Sequence, residues 1–234
     1  MSITYLERSL LLPELYHQQA EEALLARRHR IQNTKFKYGK DFLYFGSTYF
    51  DGGETAAAYR RYQYDGRFAE GLENIEQLCS ISSSAAVLEL GCAKGYVLAE
   101  FYRKGYRDLT GVDISEYAVA SAHSSITEKV VCSDALTFLV ARKKNYHLVI
   151  IKEMLPHLSQ SELNDLLSLL PERLYKDGYI YLEIQCAADE EAAALIRKFD
   201  PTHRILWDEL HWRERLESSP IATCEVLVYL KNLV

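Results

Sequence analysis

The sequence predicts an α/β fold: a largely parallel, doubly wound sheet with helices on both faces and an N-terminal helical, aromatic-rich cap. Three observations carry this expectation. Val87, Leu88 and Leu90 form a short apolar run with Glu89 as its one charge, which suits a buried parallel strand, although periodicity alone also admits a buried helix. Gly91 and Gly95 then bracket a tight turn, and the text becomes helical through Tyr96, Leu98, Ala99 and Phe101 until Gly105 stops it. Leu109 to Ile114 reads as a second strand, tipped by Asp113. In an open α/β sheet, ligands bind at the carboxyl ends of the strands. The backbone can approach a ligand closely at the glycines, and an acid at a strand tip can accept both hydroxyls of a ribose.

Two nucleotide-type ligands fit that pattern, and the spacing separates them. A dinucleotide fingerprint needs G-x-G-x-x-G/A, but from Gly91 this chain places Ala93 and Tyr96 where the second and third glycines would fall. The charge of Glu89 would also repel a pyrophosphate. The text Glu89-Leu-Gly91-Cys92-Ala93-Lys-Gly95 instead resembles the first motif of class I S-adenosylmethionine-dependent methyltransferases, (D/E)-x-G-x-G-x-G. Four further stretches follow in the family's order. They are Gly-Val-Asp113-Ile114-Ser115, Ser133-Asp134-Ala135, His147 through Lys152-Glu153-Met-Leu-Pro156-His157, and Tyr175 to Leu182. The resemblance covers roughly residues 80–185 and departs from the pattern at Ala93, a small residue in place of the middle glycine.

The resemblance implies a seven-stranded-type sheet and S-adenosyl-L-methionine as cofactor. It also implies roles: Glu89 and the glycine turn for the methionine end, Asp113 for the ribose, and Asp134 with Ala135 for the adenine. Lys152 lies where the fourth strand's tip adjoins the methyl group.

Composition bounds the rest. A chain of 234 residues suits one α/β domain with an appendage, divided here into a cap over 1–84 and a cofactor-binding domain over 85–234. Hydrophobic content of 48% and charged content of 26% are ordinary globular values. The net charge of −6 argues against a dedicated nucleic-acid binder. Cys79, Cys92, Cys132, Cys186 and Cys224 are scattered, odd in number and never in a C-x-x-C pair, which argues against a disulfide framework or a zinc site. Early charges at Glu7, Arg8 and Glu14 and the lack of a long apolar run lead to an expectation of a cytoplasmic protein.

From the N-terminus, Leu10 to Ile31 is helical in character, with Pro13 near its start and Leu15, Ala20, Leu24 and Leu25 as apolar positions. Arg27, Arg28, Arg30, Lys35, Lys37 and Lys40 follow without an acid among them. That run reads as a solvated helix end or as a receptor for an anionic substrate. Ten aromatics then crowd Tyr38 to Phe68, six of them tyrosines, with glycines punctuating the first half. Thr55 to Leu78 reads as a helix, broken near Gly66. The rings either pack the appendage onto the sheet or form a lid, and Tyr44, Tyr49, Tyr59, Tyr62 and Tyr64 are the candidates to line a site.

After the second strand, Ser115 caps a helix reaching to about Ser124, and Lys129 to Cys132 is a third strand. Asp134 either caps the helix over 135–143 or, as the resemblance implies, meets the adenine, and Leu148 to Ile151 is the fourth strand. Related enzymes carry E-x-x-E-H at this point and can hold a divalent metal there. Pro156 replaces the second glutamate, so no metal is expected, and His157 becomes the leading general base, with Glu153 beside it. Ser159 and Glu162 form a capping box for the next helix. Asp177-Gly178 reads as a turn before the fifth strand, Tyr179 to Ile184, and a helix from Asp189 to Phe199 leads to Asp200-Pro-Thr-His203, the second base candidate. Trp207 to Leu216 is a helix and Thr223 to Leu230 the last strand. The family ends in a two-stranded hairpin, so the missing partner is expected to be short or near His203 to Trp207.

The resemblance implies methyl transfer to an oxygen or nitrogen, and the aromatic cap and acidic balance point to a small-molecule acceptor such as a sugar or secondary metabolite. RNA or protein methylation is the runner-up, and a non-catalytic cofactor-binding subunit is a third reading. A homodimer is left open, and neither nucleic acid nor membrane is an expected partner.

Overall fold

The computed structural model describes residues 1–12, 20–53, 59 and 61–232, with the side chains of 20–23 left aside. Its centre is a sheet of strands β1 (Ser2–Leu6), β2 (Val87–Leu90), β3 (Leu109–Asp113), β4 (Val130–Cys132), β5 (Tyr146–Lys152), β6 (Leu174–Cys186) and β7 (Glu225–Asn232). They lie in the order β1-β7-β6-β5-β2-β3-β4, and every pairing is parallel. The chain leaves β2 toward β4 on one side, then returns to β5 on the other. The crevice between β2 and β5 is therefore the switch point where such sheets bind ligands.

Alternation along the strands feeds two apolar layers, as a sheet covered on both faces requires. Leu88, Leu90, Val149 and Ile151 face one layer, closed by Phe138 and Leu139 of α7 (Ala135–Ala141), Leu163 and Leu167 of α8 (Gln160–Leu169) and Trp212 of α10 (Glu209–Glu217). Val87, Leu148, Ile150 and Tyr181 face the other, closed by Leu72 and Ile75 of α4 (Ala69–Leu78) and Leu98 and Phe101 of α5 (Tyr96–Arg103). A third cluster joins Ile31 of α1 (Ala20–Asn33), Phe42 of α2 (Lys40–Leu43), and Tyr49 and Phe50 of α3 (Ser47–Asp51) to Ala118 of α6 (Glu116–Ala120). Leu195 and Phe199 of α9 (Glu190–Phe199) complete it. This is the aromatic cap, and it covers the sheet from the side of the carboxyl ends.

The α/β architecture, the seven-stranded sheet and the capping box of Ser159 with Glu162 are as expected. Several local expectations change. The partner of the last strand is not a hairpin near His203 but β1, pairing Ser2 to Leu6 with Glu225 to Tyr229 in parallel. A boundary at residue 84 thus leaves one sheet strand on the cap side. Tyr5 fixes that edge: the Arg213 guanidinium lies 3.7 Å from its ring and its hydroxyl donates to Glu217 at 3.2 Å.

The expected N-terminal helix is described only as Ala20–Asn33, and Leu10 to Leu12 are not helical. Pro13 and Leu15 lie outside the described residues. Of the helix expected from Thr55 to Leu78, the described part is Ala69–Leu78, after Gly66 at φ +74°; residues 61–65 are not helical, and Thr55 lies outside the described residues. Asp177 and Gly178 do not turn the chain; they lie inside the 13-residue β6, whose register with β5 shifts between Tyr146 and Leu148. The helix from Ser115 ends early, at Ala120. No described helix is long and apolar enough to cross a membrane.

Candidate functional site

A cavity of about 790 Å³ opens at the carboxyl ends of the strands, roofed by the cap. Its two halves are built differently.

Over β2, β3 and β4 the wall is mostly backbone. The N–H groups of Gly91 and Cys92 donate to the Val112 carbonyl at 2.8 and 3.1 Å, which folds the turn back against β3. Gly91 and Gly95 hold φ values of +73° and +70°, and a Cβ on Gly91 would lie 2.8 Å from Met154. Ala93 takes φ +50°, the left-handed region a glycine would occupy freely, so the departure from the family pattern is accommodated as strain in one residue. What secures it is Asp113: Oδ2 accepts from Ala93 N–H at 2.7 Å and Oδ1 from Ser115 N–H at 2.8 Å. Burial raises the Asp113 pKa, and these two donors oppose the rise.

Beneath the turn sits Glu89, 3% exposed, with Oε2 lacking any hydrogen-bond partner among the described residues. Burial pushes its pKa to about 8; Lys152 pulls it down while Asp113 and Glu183 push it further up. An orphaned carboxyl under a ligand cavity awaits a donor.

Over β5, β6 and β7 the wall is side chains. Glu153, at φ +55°, accepts from Lys231 at 2.9 Å and from Gln185 Nε2 at 3.0 Å, and lies 3.2 Å from Lys152 Nζ. Burial favours its neutral form, but Lys152 and Lys231 hold its carboxyl well below the usual range. The Lys152 ammonium in turn lies 3.6 Å from Glu183.

Asp200 is 3% exposed and anchors the histidines. Its Oδ1 accepts from the Thr202 hydroxyl at 2.5 Å and Thr202 N–H at 3.0 Å, and its Oδ2 accepts from Tyr49 at 2.9 Å. The Thr202 hydroxyl proton is thus spent on Asp200, so Thr202 Oγ1 accepts from His157 Nδ1 at 2.9 Å. That tautomer leaves the His157 Nε2 lone pair uncommitted. Burial first, then the adjacent His203, lower the His157 pKa to about 4.

For His203, Gln185 points its amide N–H at Glu153, so its carbonyl oxygen accepts from His203 Nε2. The other nitrogen, Nδ1, lies 3.2 Å from the Asp200 carbonyl. Both ring nitrogens of His203 face protein groups.

One donor atom each from His157, Asp200 and His203 falls within 4.8 Å of the others, a spacing a divalent cation can use. The same three residues are hydrogen-bonded to the Thr202 and Tyr49 hydroxyls and to the Gln185 carbonyl oxygen.

The structure thus brings Gly91, Ala93, Asp113, Ile114, Asp134, Ala135, Lys152, Glu153, His157 and His203 to one cavity. Cys92, Gly95 and Ser115 stand behind it: Cys92 is packed under Gly111, Gly95 opens α5, and Ser115 caps α6 while donating to the Phe45 carbonyl at 2.5 Å. Of the five tyrosines, Tyr49, Tyr59 and Tyr62 line the cavity. Tyr44 does not, being 79% exposed, and Tyr64 turns to Glu100 at 2.6 Å. Asp51 pins the cap to the glycine turn, 2.5 Å from Lys94 Nζ and 2.7 Å from Tyr117. Not anticipated from the sequence were Arg27, Gln185, Phe199, Asp200, Thr202 and Lys231 as cavity residues. Arg27 opens the basic run that reads as a solvated helix end or as a receptor for an anionic substrate.

Comparison with known proteins bears on the family and the fold. The Methyltransferase domain family profile matches residues 57–219. A SAM-dependent methyltransferase from Archaeoglobus fulgidus superposes with a TM-score of 0.50 at 24% identity, over 62% of this chain and 72% of that one. The YcgJ protein from Bacillus subtilis gives 0.50 at 19%, over 61% and 64%. A glycopeptide N-methyltransferase complexed with S-adenosyl-L-homocysteine gives 0.42 at 23% identity, over 55% of each chain. A search of curated sequences finds no match.

Proposed function

The chain belongs to the methyltransferase domain family and is an enzyme whose cofactor is S-adenosyl-L-methionine, and on that premise we propose that it methylates an oxygen or nitrogen nucleophile of a small molecule. The observation that carries this reading is the division of the cavity. The half over β2–β4 offers the features an adenosyl amino acid needs, and the half over β5–β7 offers a base in a ring-lined, roofed space.

The cofactor supplies an activated methyl group on a sulfonium, so the protein needs no covalent intermediate. In our reading Asp113 accepts the ribose hydroxyls, Asp134 and Ala135 border the adenine, and Glu89 faces the ammonium, which provides the donor its orphaned oxygen lacks. Lys152 keeps Glu153 and Glu183 charge-balanced at the edge of the reacting space.

His157 is the base. Its Nδ1–H is tied through Thr202 to Asp200, which orients the ring and supports the charge it gains. Its lowered pKa keeps Nε2 unprotonated at neutral pH, at the cost of basicity. His203 and Glu153 position it from behind, since neither His203 nitrogen is open to an acceptor. Orientation of the acceptor is therefore the larger contribution, and proton removal the second. The roof of Tyr49, Tyr59 and Tyr62 fits a lid that excludes water, tethered through Asp51.

The small-molecule reading is tested by screening hydroxylated and amine-bearing small molecules for methyl transfer, against bulk RNA and protein. Label appearing only in macromolecules would replace it with the runner-up.

A further inference from the structure

Around the half of the cavity over β5–β7, the carboxylates are committed. Glu153 receives Lys152, Lys231 and Gln185; Asp200 receives Thr202 and Tyr49. One cation beside them is not. Arg27 reaches from α1 over the Phe199 ring, its guanidinium carbon 4.8 Å from the centroid, and among the described residues it makes no hydrogen bond or ion pair. A ring face offers a guanidinium some attraction, but it satisfies none of the five N–H donors. Burial lowers the Arg27 pKa most, with Arg30 lowering it further and the charges of Glu153, Tyr59 and Asp200 opposing the fall. A partly desolvated charge with no counter-ion costs stability, and such a cost is retained where a ligand brings the partner.

The position of Arg27 says which ligand. It stands on α1, which packs on α9 through Arg28 and Glu191 at 2.6 Å, beyond the tip of β6. The glycine turn and Asp113 lie on the other side of the β2–β5 crevice. The planar fork of an arginine matches an oxyanion with two oxygens. Nearby Glu153 and Asp200 disfavour a doubly charged group, which leaves a carboxylate. Phe45, Tyr49, Tyr59 and Phe199 add ring surface to the same wall.

Resting on the methyl-transfer reading above, we propose that Arg27 receives a carboxylate of the methyl acceptor, so that the acceptor is an amphipathic carboxylic acid. Its apolar or aromatic body lies against the rings, and its nucleophile is presented to His157.

The test uses the full chain saturated with S-adenosyl-L-homocysteine and three probes: benzoate, benzamide and phenyl phosphate. Benzoate should raise the melting temperature of the wild-type complex and benzamide should not, because only a ligand that binds the folded state stabilises it. Arg27→Met should lose the benzoate response while melting no lower than wild type, since it removes a charge that has no hydrogen bond or ion pair among the described residues. Arg27→Lys should keep part of the response and serves if the methionine variant does not fold. Affinity for S-adenosyl-L-homocysteine should stay within about twofold in both variants, an energy difference under about 0.5 kcal/mol.

Equal responses to benzoate and benzamide, or no response to either, would overturn the proposal. So would a phenyl phosphate response larger than that of benzoate. A tenfold loss of S-adenosyl-L-homocysteine affinity in Arg27→Met would assign the guanidinium to the cofactor's own carboxylate instead. If the wild type bound no S-adenosyl-L-homocysteine at all, the methyl-transfer reading itself would fall, and this proposal with it.

Discussion

The two halves of the cavity are made by different means. Over β2–β4 the ligand surface is a short continuous text: a strand, a turn with alternating positive-φ positions at Gly91, Ala93 and Gly95, and acids at or just after strand ends. Over β5–β7 it is a network whose members are far apart in sequence. His157 meets Thr202 across 45 residues, Glu153 meets Lys231 across 78, and Tyr49 meets Asp200 across 151. A local backbone site can be read from spacing, whereas a long-range side-chain site exists only once the fold has formed. The same contrast predicts that substitutions in the first half change cofactor affinity, and those in the second change turnover.

The largest effect should come from His157→Ala. With an acceptor in hand, kcat should fall on the order of 10²–10³, the lower part of the general-base range, because a base with its pKa lowered to about 4 is weaker than one poised near neutrality. Thr202→Val should reproduce much of that loss, and the double variant should be no worse than His157→Ala alone. Additive losses would mean the two side chains do not act as a unit. The pH profile sharpens this point. No limb near neutrality should belong to His157, and the rate should fall only as pH approaches about 4.

Tyr49→Phe should destabilise the protein by about 1–3 kcal/mol, the cost of leaving a buried carboxylate oxygen without its donor. Chemical denaturation measures it directly. No change would show that Asp200 gains another partner when the ring loses its hydroxyl.

Glu89 gives a smaller and more specific signal. Its folded pKa of about 8 lies above the unfolded value, so its contribution to stability is fully present below about 4.5 and is lost as pH rises through about 8. Near pH 7 the free protein therefore holds a proton there that an ammonium would displace. Binding of S-adenosyl-L-homocysteine should release up to one proton, seen by calorimetry in buffers of different ionisation enthalpy. Glu89→Gln should abolish the release, and an undiminished release would place the proton elsewhere. Smallest of all, Ala93→Gly should stabilise the chain by at most about 1 kcal/mol, relief of left-handed strain offset by glycine's entropy.

How far the sequence could be read follows the same division. The strand-turn-helix of residues 87–103 and the acids Asp113 and Asp134 were legible because their geometry is set by neighbours in the chain. The edge strand β1 was not, because the five residues Ser2–Leu6 carry little pattern of their own and are held by pairing with β7 and by the contact of Tyr5 with Arg213 and Glu217 of α10. His157 could be picked by its place after β5, but not its tautomer or its lowered pKa, which come from Thr202 and His203. His203 looked equivalent in the text; Gln185 and the Asp200 carbonyl make it different. Among the tyrosines, hydrophobic content could not tell Tyr49 from Tyr44, since what separates them is Asp200, again 151 residues away.

The most direct test of the two-half account is calorimetric titration of S-adenosyl-L-homocysteine into Asp113→Ala and His157→Ala side by side. Asp113→Ala should weaken binding by roughly 2–3 kcal/mol, the scale of charge-assisted hydrogen bonds lost together, while His157→Ala should bind like the wild type. Unchanged affinity in Asp113→Ala, or an equal loss in both variants, would contradict the division of the cavity into a cofactor half and an acceptor half.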